Sequence, residues 1–143
     1  MTRFLLDTDT LSLFRRGDSK VIQRLRTARP EDIAITVISV EEQLAGWYDQ
    51  IRRLRVLEQR AIAYQRLAET VPFLATFPIL TFTETDMIRY EDLRGLKLNV
   101  GANDLKIAAI ALERGLIVVT RNQRDYGRVP ALVTEDWSQP REA

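Results

Sequence analysis

The chain has no cysteine and no histidine. Lack of cysteine excludes a disulfide framework and suits a reducing compartment such as the cytoplasm. Lack of both residues excludes a Ser-His-Asp triad, a Cys-His pair and histidine-based ribonuclease chemistry. An ordinary His/Cys zinc site is excluded as well. Any catalysis must therefore rest on carboxylates, Lys, Tyr or hydroxyls, and any metal must be a hard cation with oxygen ligands. Long apolar runs are also missing. None approaches the roughly 20 residues of a membrane-spanning helix, and the N-terminus lacks the basic-then-apolar layout of a signal peptide. A cytoplasmic location is the expectation.

Lysine is scarce. Of 21 basic residues only Lys20, Lys97 and Lys106 are lysines, and the rest are arginines. That bias suits bidentate phosphate contacts, but taken alone it is better accounted for by compositional bias and surface ion pairs. The net charge of +1 shows that the chain as a whole is no polycation. At 143 residues, 45% of them hydrophobic, it has the material for one core in one globular domain.

Strand and helix patterns alternate along the chain. Phe4 to Leu6 reads as a short buried strand, after which Thr8 or Asp9 caps a helix that stops at Gly17. A second helix begins near Asp18 and ends before Pro30, and "IAIT" is the second strand. Ser39 is the expected cap of a helix carrying Glu41, Glu42, Leu44 and Trp47, and the sequence from about Asp49 to Thr70 reads as helical. Arg52, Arg53, Arg55, Arg60 and Arg66 against Glu58 give residues 52–66 a local charge of +4, which reads as a solvated face or a subunit contact. A third strand lies near Ile79, followed by a helix capped at Thr83. "NDLKIAAIALERG" is the clearest helix, with Asn103 as its expected cap and Gly115 as its stop; "LIVV" and "ALVT" supply further strands, and "EDWSQPREA" an exposed tail. The pattern is that of an α/β domain with a mostly parallel sheet of four or five short strands. Sites in such sheets lie beyond the carboxyl ends of the strands.

Several acids fall where burial is expected. Asp7 directly follows strand one. Asp104 lies on the stripe of Ile107, Ala108 and Ala111, and Glu42 has Ile38, Ala45 and Gly46 as its helical neighbours. Inward-facing carboxylates are costly unless a cation compensates them, and either Mg²⁺ or Mn²⁺ or the chain's own arginines could do so. Taken singly, Asp7 also reads as a turn residue, and Asp104 as an acid favoured by a helix dipole.

The segments "LLDTDTLS", "ITVISVEEQLAG", "NDLKIAAIAL", "VVTRNQRDYGRVPAL" and "EDW" occur in an order that resembles the PIN domain, in particular the VapC-type toxins of bacterial toxin–antitoxin pairs. The resemblance implies a three-layer α/β/α fold and a metal-dependent endoribonuclease that hydrolyses RNA by activated water. Its first acid falls on Asp7, its second on Glu42, four residues before Gly46 and with Glu41 as a neighbouring rival, and its third on Asp104. The fourth region matches Thr120, Asn122 and Asp125-Tyr126, with Asn122 where an acid is usual, so Asp125 supplies the fourth charge or none does. By this resemblance Asp7, Glu42 and Asp104 hold Mg²⁺ or Mn²⁺, and Thr8, Asn103, Thr120 and Asn122 orient them. Arg15, Arg16, Lys106, Arg121 and Arg124 are candidate phosphate contacts. It further implies a cognate antitoxin, a homodimer and one nuclease domain over residues 1–137. In that domain, helical segment 47–77 contacts a subunit or the antitoxin, and 138–143 forms a tail. Two alternatives stand beside it: a PIN-like binding module without catalysis, and a haloacid-dehalogenase-type phosphatase with Asp7 as nucleophile and Asp9 as general acid.

Overall fold

The computed structural model describes residues 2–140. Among these, five parallel strands form one sheet in the order β3-β2-β1-β4-β5, with β1 at Phe4–Leu6, β2 at Ile33–Thr36, β3 at Ile79–Leu80, β4 at Ile117–Val119 and β5 at Thr134–Glu135. The helices are α1 (Thr8–Arg15), α2 (Ser19–Thr27), α3 (Val37–Arg53), α4 (Leu57–Leu74), α5 (Glu84–Gly95), α6 (Ala102–Arg114) and α7 (Gln123–Tyr126).

Successive side chains of a strand point to opposite faces, and β1 divides the core accordingly. Leu5 packs with Ala34, Val118 and the buried stripe of α6, Ile107 to Ala111, on one face. Leu6 packs with Leu11, Val21, Ile35 and Leu74 on the other. The result is the expected three-layer α/β/α sandwich. The chain winds outward from β1 to β3, then returns to place β4 on the free side of β1, so the winding reverses between β1 and β4. In open α/β sheets that reversal opens a crevice at the carboxyl ends of the strands.

Local chemistry moves several expected caps. Asp7, rather than Thr8 or Asp9, caps α1: its backbone stays extended and its Oδ1 accepts the Thr10 N–H at 2.8 Å. Thr36 caps α3, with Ser39 already inside the first turn and donating its N–H to the Thr36 hydroxyl. α6 starts from Gly101 without a side-chain cap, leaving Asn103 within its first turn. Gly17 and Gly115 end α1 and α6 in the left-handed conformation, at φ 87° and 64°, as their positions suggest.

The arginine-rich helical segment is divided between α3 and α4. Leu54 turns extended after α3, and α4 begins at Leu57 and packs back against α3. Neither glycine nor proline marks the break in "RRLRVLE", so tertiary packing rather than a local signal sets it. The last strand begins at Thr134 rather than at Ala131, whose φ is 66°. The segment after it is not wholly exposed: Trp137 is 2% exposed and meets the Phe4 ring edge-on at 5.0 Å. Residues 141–143 of the expected tail lie outside the described residues.

Candidate active site

A cleft of about 540 Å³ opens where the sheet reverses its winding, lined by Asp7, Thr8, Asp9, Ser12, Glu42, Asp104, Arg121 and Asn122. Asp7 enters it from the end of β1, Arg121 and Asn122 from beyond β4, Glu42 from α3 and Asp104 from the first turn of α6. Its wall is fixed by backbone and hydroxyl contacts. The Asp7 N–H extends the β1–β4 ladder to Val119 O at 3.1 Å, and the Thr10 hydroxyl donates to the same carbonyl at 3.0 Å.

Each of the three acids has its own support. Asp7 is 5% exposed and spends one oxygen on the α1 cap. Burial pushes its carboxyl above the ordinary range, and hydrogen bonds from Thr120 and Thr10 offset this only in part. Asp104 is raised as well, first by burial and then by the charges of Glu42 and Asp125, against a hydrogen bond from the buried Tyr126 hydroxyl at 3.1 Å. Tyr126 is itself pushed far above its ordinary value by burial and by the charge of Asp104, so it is a fixed donor. Glu42 accepts the Thr8 hydroxyl at 2.7 Å, and Ser39 lies 2.9 Å from the same hydroxyl. The carboxylate of Glu42 is therefore held by hydroxyls; of its expected apolar neighbours Ile38 is buried, while Ala45 and Gly46 are exposed.

Other candidates sort by position. Thr8 and Asn122 line the cleft, and the buried Thr120 lies under it, with its hydroxyl also taking the Asn122 N–H at 2.9 Å. Glu41 is exposed and off the lining, whereas Glu42 is on it. Asp125 is off it too, its two oxygens taken by Asn122 at 3.0 Å and Arg128 at 3.2 Å. Asn103 is half-buried within the first turn of α6, Arg124 is exposed, and Lys106 sits over the Tyr90 ring at 5.6 Å; none of the three lines the cleft. Arg15 and Arg16 line a neighbouring cleft instead. Arg121 reaches the mouth of the acidic cleft but is held by Asp9 through two hydrogen bonds of 2.7 and 3.0 Å.

Sequence reasoning missed Ser12, which donates to Thr8 O and accepts from Gln43, and gave no role to the Tyr126 hydroxyl. Ser12 stands one helical turn after Thr8, so their common face was the available signal.

The donor set is all oxygen, the choice of a hard cation. Among the described residues no group of three acids lies close enough to enclose an ion by itself.

The PIN domain matches residues 4–132. The tRNA(fMet)-specific endonuclease VapC of Shigella flexneri is 29% identical, over 96% of this chain and 100% of its own. Ribonuclease VapC2 of Haemophilus influenzae is 27% identical, over 96% and 99%. The crystal structure of DNA-bound VapBC from Salmonella typhimurium aligns with a TM-score of 0.78 at 26% identity, covering 96% of this chain and 99% of that one. FitAcB from Neisseria gonorrhoeae aligns with a TM-score of 0.71 at 26% identity, covering 94% and 98%.

Proposed function

The chain belongs to the PIN-domain family, and we propose that it is a VapC-type endoribonuclease toxin whose cleavage of RNA depends on Mg²⁺ or Mn²⁺ held by Asp7, Glu42 and Asp104. One observation carries the reading. Three carboxylates from β1, α3 and α6 face one cleft, and the arginine that lines it is committed to Asp9. Two of the three sit above the ordinary carboxylate range, as acids do when burial lacks a countercharge.

Asp7, Glu42 and Asp104 would hold the cation, which would supply an acidified water and a charge to offset that of the phosphodiester. The chain's own part is positional. Thr10 N–H fixes Asp7, Thr8 fixes Glu42 and Tyr126 fixes Asp104, so the cost of ordering the ligands is met at folding.

The relatives' names, endonuclease and ribonuclease, support an RNA substrate, and structural neighbours solved as VapBC complexes support a protein antitoxin partner. We read residues 1–137 as one nuclease domain, with segment 47–77 as the contact for a second subunit or the antitoxin. The phosphatase alternative is disfavoured, since Asp9 would be its general acid and both its oxygens are engaged by Arg121. The test is incubation of partner-free protein with total RNA. Cleavage is expected with Mn²⁺, to stop in excess EDTA and to return on adding metal back; full cleavage in EDTA overturns the metal mechanism.

A further inference from the structure

A second cleft of about 530 Å³ adjoins the first, shares Asp9 and Ser12 with it, and is otherwise lined by Arg15, Arg16, Gln43, Trp47 and Arg66. Its charge is opposite to that of the first. Three arginines face one carboxylate, and that carboxylate is already paired with Arg121. Part of the wall is rigid. Buried Thr70 accepts the Trp47 indole N–H at 2.9 Å and a hydrogen bond from Arg15, whose guanidinium lies over the Phe73 ring at 5.0 Å. Gln43 is tied to Ser12 at 2.8 Å. Arg16 and Arg66 are exposed and, among the described residues, form no ion pair.

We propose that this cleft binds the part of a single-stranded RNA that flanks the scissile phosphate, with Trp47 stacking a base and Arg16 and Arg66 meeting phosphates. The assignment rests on the nuclease reading and deepens it. Charge selects a polyanion, and continuity with the acidic cleft puts that polyanion on the substrate strand. An indole whose N–H is already bonded offers its ring, which stacks on any base and so favours single strands without fixing their sequence. Acids in the first cleft repel phosphate, so the second cleft supplies the attraction that brings the strand in.

The test uses the whole chain in EDTA, titrated with a mixed-sequence single-stranded RNA hexamer while tryptophan fluorescence is read. The chain has two tryptophans, and Trp137 is 2% exposed, so quenching reports Trp47. Saturable quenching is expected, lost in Trp47→Phe. Arg66→Gln, at an exposed position, should weaken binding about tenfold and lower the slope of log affinity against log salt by about 0.7. Absence of quenching in a protein that cuts RNA with Mn²⁺ overturns the subsite and leaves the nuclease standing. Unchanged RNA affinity in Arg66→Gln overturns the subsite, and quenching by an acidic peptide but not by RNA overturns it in favour of a protein ligand. Quenching by RNA in a protein that cuts no RNA with Mn²⁺ overturns the nuclease reading and, with it, the assignment of this cleft to a substrate strand.

Discussion

Asp7 and Asp86 are both buried acids at the start of a helix, 5% and 1% exposed, yet they lie on opposite sides of the ordinary carboxylate range. Burial pushes both upward. For Asp86 that push is outweighed by Arg114, which donates to Oδ1 at 2.9 Å and to Oδ2 at 3.0 Å, and by a reciprocal cap with Thr83. Asp7 has hydroxyl and amide donors but, among the described residues, no ion pair, and neighbouring Asp9 adds repulsion. A buried acid is thus no sign of a site in itself. A buried acid lacking a countercharge is, because the fold has accepted a cost that a ligand removes.

The comparison breaks most visibly at the acidic cleft. Asp104→Asn or Asp7→Asn should lower Mn²⁺-dependent RNA cleavage about a thousandfold or more, the equivalent of the several kcal/mol a metal contributes to a phosphoryl transition state. Circular dichroism should remain native, since asparagine at position 7 still caps α1. At the other acid the loss is stability instead. Arg114→Met strands a buried carboxylate and should cost about 3 kcal/mol in urea denaturation, with cleavage per folded molecule unchanged. A variant as stable as the parent would remove the contrast. Tyr126→Phe sharpens the picture at intermediate size. Losing the donor to Asp104 should reduce cleavage about 10- to 100-fold, and metal titration should show weakened affinity.

The smallest effect is in pH. Asp86 releases its proton more readily folded than unfolded, so its stabilisation is complete above the unfolded value and is lost as pH falls through the folded one. Asp7 and Asp104 run the other way. Folding tightens their hold on a proton, so their ionised forms cost stability near neutrality, and acidification relieves that cost. A metal competes for the same ionised oxygens. The stabilisation that Mn²⁺ confers should therefore fade at a higher pH than an ordinary carboxylate would dictate, as thermal denaturation from about pH 7 to about pH 4 will report.

Much of this was legible in the sequence where local signals were strong. Strand-end Asp7 and the apolar stripe beneath Asp104 follow from periodicity, and the reversal of the sheet brings both to one crevice. The apolar surroundings expected of Glu42 hold only for Ile38, which is buried; Ala45 and Gly46 are exposed, and what holds the carboxylate is Thr8 from another helix. Pairings between distant segments left no local trace. Asp86 with Arg114 and Asp9 with Arg121 span 28 and 112 positions, and nothing in either pair's flanking residues names the partner. Trp137 looked like a tail residue because its partner Phe4 is at the opposite end of the chain. The break at Leu54 was hidden because "RRLRVLE" favours helix on both sides, and only the return of α4 against α3 requires it.

Thermal unfolding of the metal-free protein and of Asp104→Asn, each with and without Mn²⁺, tests the central claim most directly. The account predicts that Asp104→Asn is at least as stable as the parent without metal. It also predicts that Mn²⁺ stabilises the parent by about 2.7 kcal/mol at one hundred times its dissociation constant, and the variant by much less. Equal stabilisation of the two proteins by Mn²⁺, or a variant markedly less stable without metal, would contradict it.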